Sequence, residues 1–299
     1  MAHAAQQPKT EDLEMTWKRL KSGTIASITA LALATLLPLA AEATPCTTAC
    51  TLIDQNSTVT LNATSQAGMF DWFVDGRDIL HQQWFWYRVG STGPEASIDT
   101  LSLVGANTVD ANFNPGDDRL NLRYLSTGLF QIDVTYDLGG GPATSRASDV
   151  RELITITNLS GRSLDFHFFQ YADFDISNPN DTAILINANT VRHAGSTYVL
   201  NETVVTPAAN RHEVSTFPLT LMKLNDGVPT DLSNASGPVF GDATWAFQWD
   251  TTLTASGPGS TFQISKDKNI RPVAEPSSIV LLGAALGVLA LWRRGSAAR

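Results

Sequence analysis

Apolar and polar residues alternate along much of the middle of this chain, which is the pattern of strands that bury one face. The clearest run places Phe130, Ile132, Val134, Tyr136 and Leu138 on one side. Shorter runs of the same kind lie at 120–124, 154–157, 245–249 and 261–265. These runs predict a series of half-buried β-strands.

Turn-forming residues separate the alternating runs. Examples are Asn114-Pro115-Gly116, Asn178-Pro179-Asn180-Asp181 and Ser256-Gly257-Pro258-Gly259. No long amphipathic helix pattern occurs between residues 50 and 270. Many short strands divided by turns predict an all-β fold, and we expect a large antiparallel two-sheet β-sandwich over residues 44–270.

The N-terminal residues 1–43 have the features of a secretory signal peptide. A basic segment at 18–21 precedes the apolar stretch 25–40. Ala41 and Ala43 then supply small residues at the −3 and −1 positions of a cleavage site. We therefore predict a signal helix, export through the Sec translocon and cleavage by signal peptidase.

Three acidic residues lie before Met15 and do not fit the basic start of a signal peptide: Glu11, Asp12 and Glu14. A chain that begins at Met15 has a basic start without them. We therefore expect translation to begin at Met15.

The C-terminal residues 271–299 combine a short motif, an apolar segment and a basic tip. The motif and the tip consist of Val273, Ala274, Glu275, Pro276, Arg293 and Arg294. The uncharged segment at about 277–292 is roughly 24 Å long as a helix. A thinned bilayer accommodates that length, so we predict a transmembrane helix with its arginines on the cytoplasmic side.

This three-part tail resembles the PEP-CTERM sorting signal, a segment also named the C-terminal domain of ice-binding proteins. The family usually has Val-Pro-Glu-Pro, whereas Ala274 stands here in place of the first proline. The resemblance implies recognition by an exosortase in a Gram-negative bacterium that makes exopolysaccharide. It also implies anchoring in the inner membrane before processing and then a location at the cell surface or outside the cell.

Charge and cysteine content bear on the partners of the middle of the chain. The formal net charge is −9, which disfavours nucleic acid as a partner. The chain has two cysteines, Cys46 and Cys50, near the expected mature N-terminus. In an oxidising compartment a small-loop disulfide is the simplest expectation, and intermolecular pairing or a metal pair are alternatives.

The segment 164–181 contains the densest set of candidate ligands. Its polar end carries Asp173, Asp175, Asn178, Asn180 and Asp181. Calcium takes six to eight oxygens from such groups, so calcium is the one cofactor that we consider. A turn in which these side chains bond their own backbone is the alternative. The apolar pattern also changes side between Phe168 and Phe169, which predicts a β-bulge or a bend.

Trp84 and Trp86 belong to an aromatic run of four residues that ends at Tyr87. Apolar side chains on both faces favour a strand buried between two layers. The functional alternative is a platform on which sugar rings stack, with His81 and Arg88 as polar contacts.

Carboxylate pairs suited to glycoside hydrolysis are also present, namely Asp133 with Asp137 and Asp173 with Asp175. Strand alternation produces such pairs widely, and the chain has no nucleophile-elbow, phosphate-loop or dinucleotide motif. We therefore expect a non-enzymatic exported protein with a structural or adhesive role linked to exopolysaccharide. The alternatives are a polysaccharide hydrolase or lyase, and a calcium- or glycan-binding module.

The two processing sites can be tested together by the intact mass of the protein from cells and from medium. Removal of the signal after Ala43 and of the tail near Pro276 would leave a mature chain that lacks both apolar ends. Ala274→Pro restores the family motif and should shorten the lifetime of the precursor. A mass that retains the C-terminal segment in every fraction would contradict processing.

Overall fold

A computed structural model describes residues 42–177 and 180–273, together with Gly283 and Leu286. The predicted signal helix and most of the C-terminal tail lie outside these residues. Within the described part, no helix is both long and apolar enough to cross a bilayer.

The described residues form nineteen strands and one short α-helix, α1, Leu219–Leu224. Ten strands make the first sheet, sheet A. In chain order they are β1 Thr44–Pro45, β8 Ser102–Val109, β9 Arg119–Ser126, β10 Phe130–Gly140, β11 Ser148–Asn158, β13 Thr182–Asn187, β14 Thr190–Ala194, β15 Tyr198–Thr206, β17 Val239–Phe240 and β19 Thr261–Pro272. Their spatial order is β1-β8-β9-β10-β11-β19-β15-β14-β13-β17.

Nine strands make the second sheet, sheet B. They are β2 Ala49–Asp54, β3 Ser57–Asn62, β4 Gly68–Val74, β5 Arg77–Asp78, β6 Gln82–Val89, β7 Ala96–Ser97, β12 Leu164–Asp173, β16 Arg211–Thr216 and β18 Ala243–Leu253. Seven of them follow the order β16-β18-β12-β6-β4-β3-β2, while β5 pairs with β4 and β7 with β6. Two short 3-10 turns are at Ile98–Thr100 and Pro258–Ser260.

Nearly all strand pairs are antiparallel, and the two sheets enclose one apolar core. β10 shows how the pattern produces this arrangement, because its residues alternate between buried and partly exposed from Phe130 onward. A short parallel contact between β4 and β6 is the exception. The all-β class and the two-sheet antiparallel sandwich are thus confirmed.

The predicted bulge in β12 is wrong. β12 pairs with β18 from Leu164 through Asp173 and with β6 from Phe166 through Asp173. Neither pairing contains a register shift. Both of its faces become buried after His167 because other residues cover the outer face of sheet B. Trp86 donates to Asn225, just after α1, and the backbone of Leu232 donates to Gln248.

Four charged side chains lie buried at the centre of the sandwich: Glu152, Glu202, Lys266 and Lys268. Lys266 Nζ lies 2.6 Å from Glu152 and 3.1 Å from Glu202, and Lys268 is ion-paired with both acids. All four come from sheet A, and Trp245 of sheet B donates to Glu202 over 2.7 Å. We call this group the interior ion cluster.

The interior ion cluster is balanced, with two acids and two bases. Burial opposes ionisation of Glu202, but Lys268 and Lys266 outweigh it and lower the pKa of that carboxyl. A missing partner would therefore leave a buried charge without compensation, which is strongly unfavourable.

Lys268→Met should destabilise the protein by about 3–5 kcal/mol, because it leaves two buried carboxylates with one lysine. The double variant Lys268→Met with Glu152→Met keeps the Lys266–Glu202 pair and restores neutrality. It should therefore lose less stability than the single variant. Urea unfolding followed by tryptophan fluorescence measures both, and a single variant as stable as the parent would contradict this account.

Candidate functional site

Three adjacent strands of sheet B, β18, β12 and β6, have ends that lie side by side and bring polar side chains together. Asp173 ends β12 and is paired with Gln82 at the start of β6 and with Thr244 near the start of β18. His81 and Asp242 therefore lie beside Asp173, because each comes directly before the start of its strand. The backbone N–H of His81 donates to the carbonyl of Asp173 over 3.0 Å and fixes this alignment.

Asp173, Asp175 and Asp242 form the core of the site. One carboxylate oxygen from each lies within 4.8 Å of the others. They line a cavity of about 200 Å³ together with His81 and Phe217, whose rings meet edge to face at 6.1 Å. This cavity lies at the ends of the three strands, where Asp175 and Asp242 are partly exposed and Asp173 is buried.

A larger cavity of about 680 Å³ shares His81 and Asp175 with the first. We call the two together the acidic cleft. The second cavity adds Ala67, Phe70, Asp71, Asp78, Leu80 and Gln82. The cleft therefore has room for more than one small ring, with polar groups along its length and apolar groups between them.

Asp173 is the most buried acid in the cleft, at 2% exposure. The pKa of its carboxyl is raised to about 7; burial is the largest cause, and the nearby Asp242 and Asp175 carboxylates act in the same direction. His81 acts in the opposite direction, as does the Tyr171 hydroxyl, 3.3 Å from Asp173 Oδ2. Asp173 is therefore a carboxyl group that carries a proton for much of the time near neutral pH.

The rest of the cleft is also negative. Burial raises the pKa of Asp242, and Asp175 and Asp181 add to the effect. The pKa of Asp71 is raised by burial and then by Asp78. Among the described residues that line the two cavities there is no lysine or arginine.

A protonated carboxyl beside ionised carboxylates can perform acid–base chemistry. Asp173 can donate a proton, and Asp175 or Asp242 can accept one or stabilise positive charge. The unequal environments are what separate the two roles, because Asp173 is the more deeply buried.

The predicted calcium ligands do not all lie together in the structure. Asp173 and Asp175 lie together, but their third partner is Asp242, while Asn180 is exposed. Asp181 is not part of the cluster; it is buried 3.3 Å from His193 and accepts a hydrogen bond from the backbone of Ser177.

Asn178 lies outside the described residues. Among the described residues of the predicted loop, only Asp173 and Asp175 belong to the carboxylate cluster, and Asp242 is its third member. Binding of calcium to the protein stays a prediction.

The sugar-stacking platform predicted at Trp84 and Trp86 is not formed. Both side chains are fully buried at 0% exposure, which leaves no face for a sugar ring. Trp84 donates to Asp99 and Trp86 to Asn225, so their polar edges are also occupied. Both rings are part of the core, which is what the apolar residues on both faces of this strand favoured.

Other predicted residues lie away from the cleft. Cys46 and Cys50 form a disulfide. Asp133 and Asp137 are ion-paired with Arg123 and Arg119 on sheet A and do not line the acidic cleft.

The predicted processing sites lie mostly outside the described residues. Ala43 is exposed, and the backbone of Val273 donates to Thr197. The remaining predicted residues of the cleavage site and the tail are not among those described, namely Ala41, Ala274, Glu275, Pro276, Arg293 and Arg294. These predictions therefore stay predictions.

Sequence reasoning missed Asp242 and Phe217 entirely and assigned His81 to a different site. Their separation from Asp173 along the chain is large, and only the pairing of β6, β12 and β18 brings them together. The one usable signal was position, since His81 and Asp242 each come just before an aromatic-rich strand. That signal does not say which strands are neighbours.

No family model matches the chain, and no curated protein matches it. Solved structures with a similar chain path do exist. A galactose mutarotase related enzyme from Lactobacillus acidophilus is 9% identical with a TM-score of 0.44, over 76% of this chain and 97% of that chain. A galactose mutarotase-like protein from Lactobacillus casei is 9% identical with a TM-score of 0.42, over 75% of this chain and 100% of that chain.

A family GH92 α-mannosidase from Bacteroides thetaiotaomicron is 10% identical with a TM-score of 0.38, over 74% of this chain and 30% of that chain. These matches to carbohydrate-acting proteins contradict two predictions from the sequence, that the chain is not an enzyme and that its role is structural or adhesive. Both predictions relied on the absence of a catalytic motif. A site built from strand ends distant in sequence has no such motif.

At these identities and TM-scores, the matches do not assign a substrate or a reaction to this chain. Any assignment has to come from the side chains of the acidic cleft.

Asp173 predicts a pH dependence of stability. Its pKa in the folded protein, about 7, lies above the ordinary value of 3.8, so the folded state binds this proton more tightly than the unfolded state. The contribution of Asp173 to stability is therefore present below about pH 4 and is lost as pH rises toward 7. Asp173→Asn should gain stability relative to the parent across that window, measured by urea unfolding at several pH values; a constant difference would contradict the raised pKa.

Proposed function

We propose that this protein is a carbohydrate-acting enzyme that cleaves glycosidic bonds in the acidic cleft, with Asp173 as the general acid. The observation that carries this proposal is a buried carboxyl with a pKa of about 7, in a cavity where two other carboxylates lie within 4.8 Å. Glycoside hydrolysis needs one protonated and one ionised carboxyl on either side of the scissile bond.

In this proposal Asp173 gives its proton to the glycosidic oxygen, so that the leaving sugar departs with a new hydroxyl group. Asp175 or Asp242 attacks or stabilises the anomeric carbon as positive charge develops there. Water then attacks that carbon, any bond between the carbon and the attacking carboxylate breaks to free the carboxylate, and Asp173 takes up a proton from the water. No atom beyond substrate and water is needed.

The short spacing of the carboxylates predicts the stereochemical result. Retaining glycosidases hold their two carboxyls about 5–5.5 Å apart, and inverting ones about 6.5–9.5 Å apart. Oxygens within 4.8 Å leave little space for a water between the carboxylates and the sugar. We therefore expect retention of the anomeric configuration.

The charge of the cleft limits the substrate class. The lining residues include five carboxyl groups, from Asp71, Asp78, Asp173, Asp175 and Asp242, and no lysine or arginine among those described. Uronic acids and sulfated sugars would be repelled. Neutral and amino sugars are the expected substrates, with Phe70 and Phe217 offering apolar surface to the sugar rings. An exported location, which the chain ends predict, would bring such an enzyme to extracellular polysaccharide.

The test is hydrolysis of a panel of neutral, amino and uronic-acid oligosaccharides, followed by release of reducing ends. We expect activity on the first two classes, and Asp173→Asn should lower kcat by about 10²–10⁴-fold, the usual share of a general acid. Asp133→Asn changes an ion-paired aspartate on sheet A and is the matched control. NMR of the first product reports the anomer, and failure to cleave any sugar would reject the proposal.

A further inference from the structure

The two cavities of the acidic cleft lie at different positions along a row of strand ends in sheet B. The strands there follow the order β16-β18-β12-β6-β4. Phe217 follows β16, and Asp242 precedes β18. Asp173 ends β12, and His81 precedes β6. The smaller cavity therefore extends from β16 to β6, and the larger one continues to β4, which contributes Phe70.

The two cavities differ in size. The smaller one has a volume of about 200 Å³ and the larger one about 680 Å³. Pockets for drug-sized ligands are about 300–1,000 Å³, so the larger cavity has room for more than one sugar ring and the smaller one for a single ring. His81 and Asp175 line both cavities and therefore mark the place where the two meet.

The carboxylates decide which sugar of a substrate occupies which cavity. Asp242 lines the smaller cavity and not the larger one, and Asp175 lies where they meet. In the proposed reaction one of these carboxylates faces the anomeric carbon, and Asp173 protonates the oxygen that links this carbon to the leaving sugar. The sugar that is attacked at its anomeric carbon therefore belongs in the smaller cavity, and the leaving sugar belongs in the larger one.

Phe217 bounds the smaller cavity at the end away from β4. Its strand, β16, is the last strand of sheet B on that side among those that the structure describes. The backbone N–H of Phe217 donates to the carbonyl of Asp242 over 2.9 Å, and the Phe217 ring meets the His81 ring edge to face at 6.1 Å. These two contacts hold the ring beside the carboxylates.

The residues on either side of Phe217 in the chain line a different cavity. Ser215 and Leu219 belong to a cavity of about 480 Å³. That cavity and the smaller cavity of the cleft have no described lining residue in common. Phe217 therefore divides the carboxylates from the next cavity, and the space for a sugar ends at its ring.

We propose that the acidic cleft takes only the non-reducing end of a neutral or amino-sugar chain, and that Phe217 is the residue that sets this limit. This inference rests on the proposed function. One terminal sugar fills the smaller cavity up to the Phe217 ring, and the rest of the chain leaves through the larger cavity. Each turnover breaks the terminal glycosidic bond, consumes one water and releases one sugar. Bonds within a chain are not cut.

The first test follows the products from pentasaccharides of glucose, mannose, galactose and glucosamine, each labelled at its reducing end. The parent should shorten a labelled chain one sugar at a time and release only the monosaccharide. A benzylidene cap on the terminal sugar should lower kcat/KM by at least about 100-fold, because the cap has no space beside Phe217. Labelled fragments from internal cuts at early times would overturn the inference.

Phe217→Ala removes the ring and should lift the limit. Capped and uncapped chains should then have kcat/KM values within about fivefold of each other, and released fragments longer than one sugar should appear. Phe217→Tyr keeps the ring and should keep the preference for chain ends. Phe113→Ala is the matched control, because it truncates an exposed phenylalanine between β8 and β9 that lines neither cavity of the cleft.

Binding gives a readout that does not depend on catalysis. In Asp173→Asn, titration calorimetry should show uncapped pentasaccharides binding at least about tenfold more tightly than capped ones. Adding Phe217→Ala to this variant should reduce the difference to within about twofold, because the cap then has space. If the Phe217→Ala variants do not fold, the comparison of capped with uncapped chains in the parent and in Asp173→Asn decides the question.

The outcomes separate the two proposals. Internal cleavage by the parent, or equal binding of capped and uncapped chains, would overturn the limit to chain ends while hydrolysis itself confirms the proposed function. Tighter binding of uncapped chains without hydrolysis of any sugar would support the limit and reject the proposed function. Neither binding nor cleavage of any of the four pentasaccharides would reject both.

Discussion

The interior ion cluster is the constraint on which the rest of this sandwich depends. Two lysines and two glutamates sit between sheets that are otherwise packed with aromatic and aliphatic side chains. Each charge is tolerated there only because an opposite charge is within contact distance. The strands that carry the four groups, β11, β19 and β15, are adjacent in sheet A, so their register has to be kept for the charges to meet.

The cluster also reaches the acidic cleft through Trp245. This ring donates to Glu202 on one side and stacks on Phe174 at 5.4 Å on the other. Trp245 follows Thr244 and Asp242 on the chain, and Phe174 lies between Asp173 and Asp175. The residues that fix Trp245 and Phe174 in the interior therefore also fix three carboxylates at the rim. The charges of the interior ion cluster cancel, whereas the acidic cleft carries excess negative charge. Burial raises the pKa of Asp173, and the neighbouring carboxylates of the cleft add to this effect.

Parts of the fold were accessible from the sequence because they depend on local pattern. The alternation from Phe130 to Leu138 gave the burial of β10 correctly, since a strand at a sheet surface repeats every two residues. The same rule misread β12, where Phe168 and Phe169 are both buried in an unbroken strand. α1 and the segment up to Leu232 cover the outer face of sheet B, so both positions are apolar. No residue near Phe168 in the sequence indicates this coverage.

The candidate site shows the same division. The sequence by itself determined that Asp173 and Asp175 lie near a strand end, that the middle of the chain is β, and that it carries excess negative charge. Only the tertiary structure decided that Asp242 and His81 join them, that Trp84 and Trp86 are core, and that the Tyr171 hydroxyl donates to Asp173. The physical reason is that strand pairing and burial are set by contacts between distant segments. A pKa follows from those contacts and from no residue type alone.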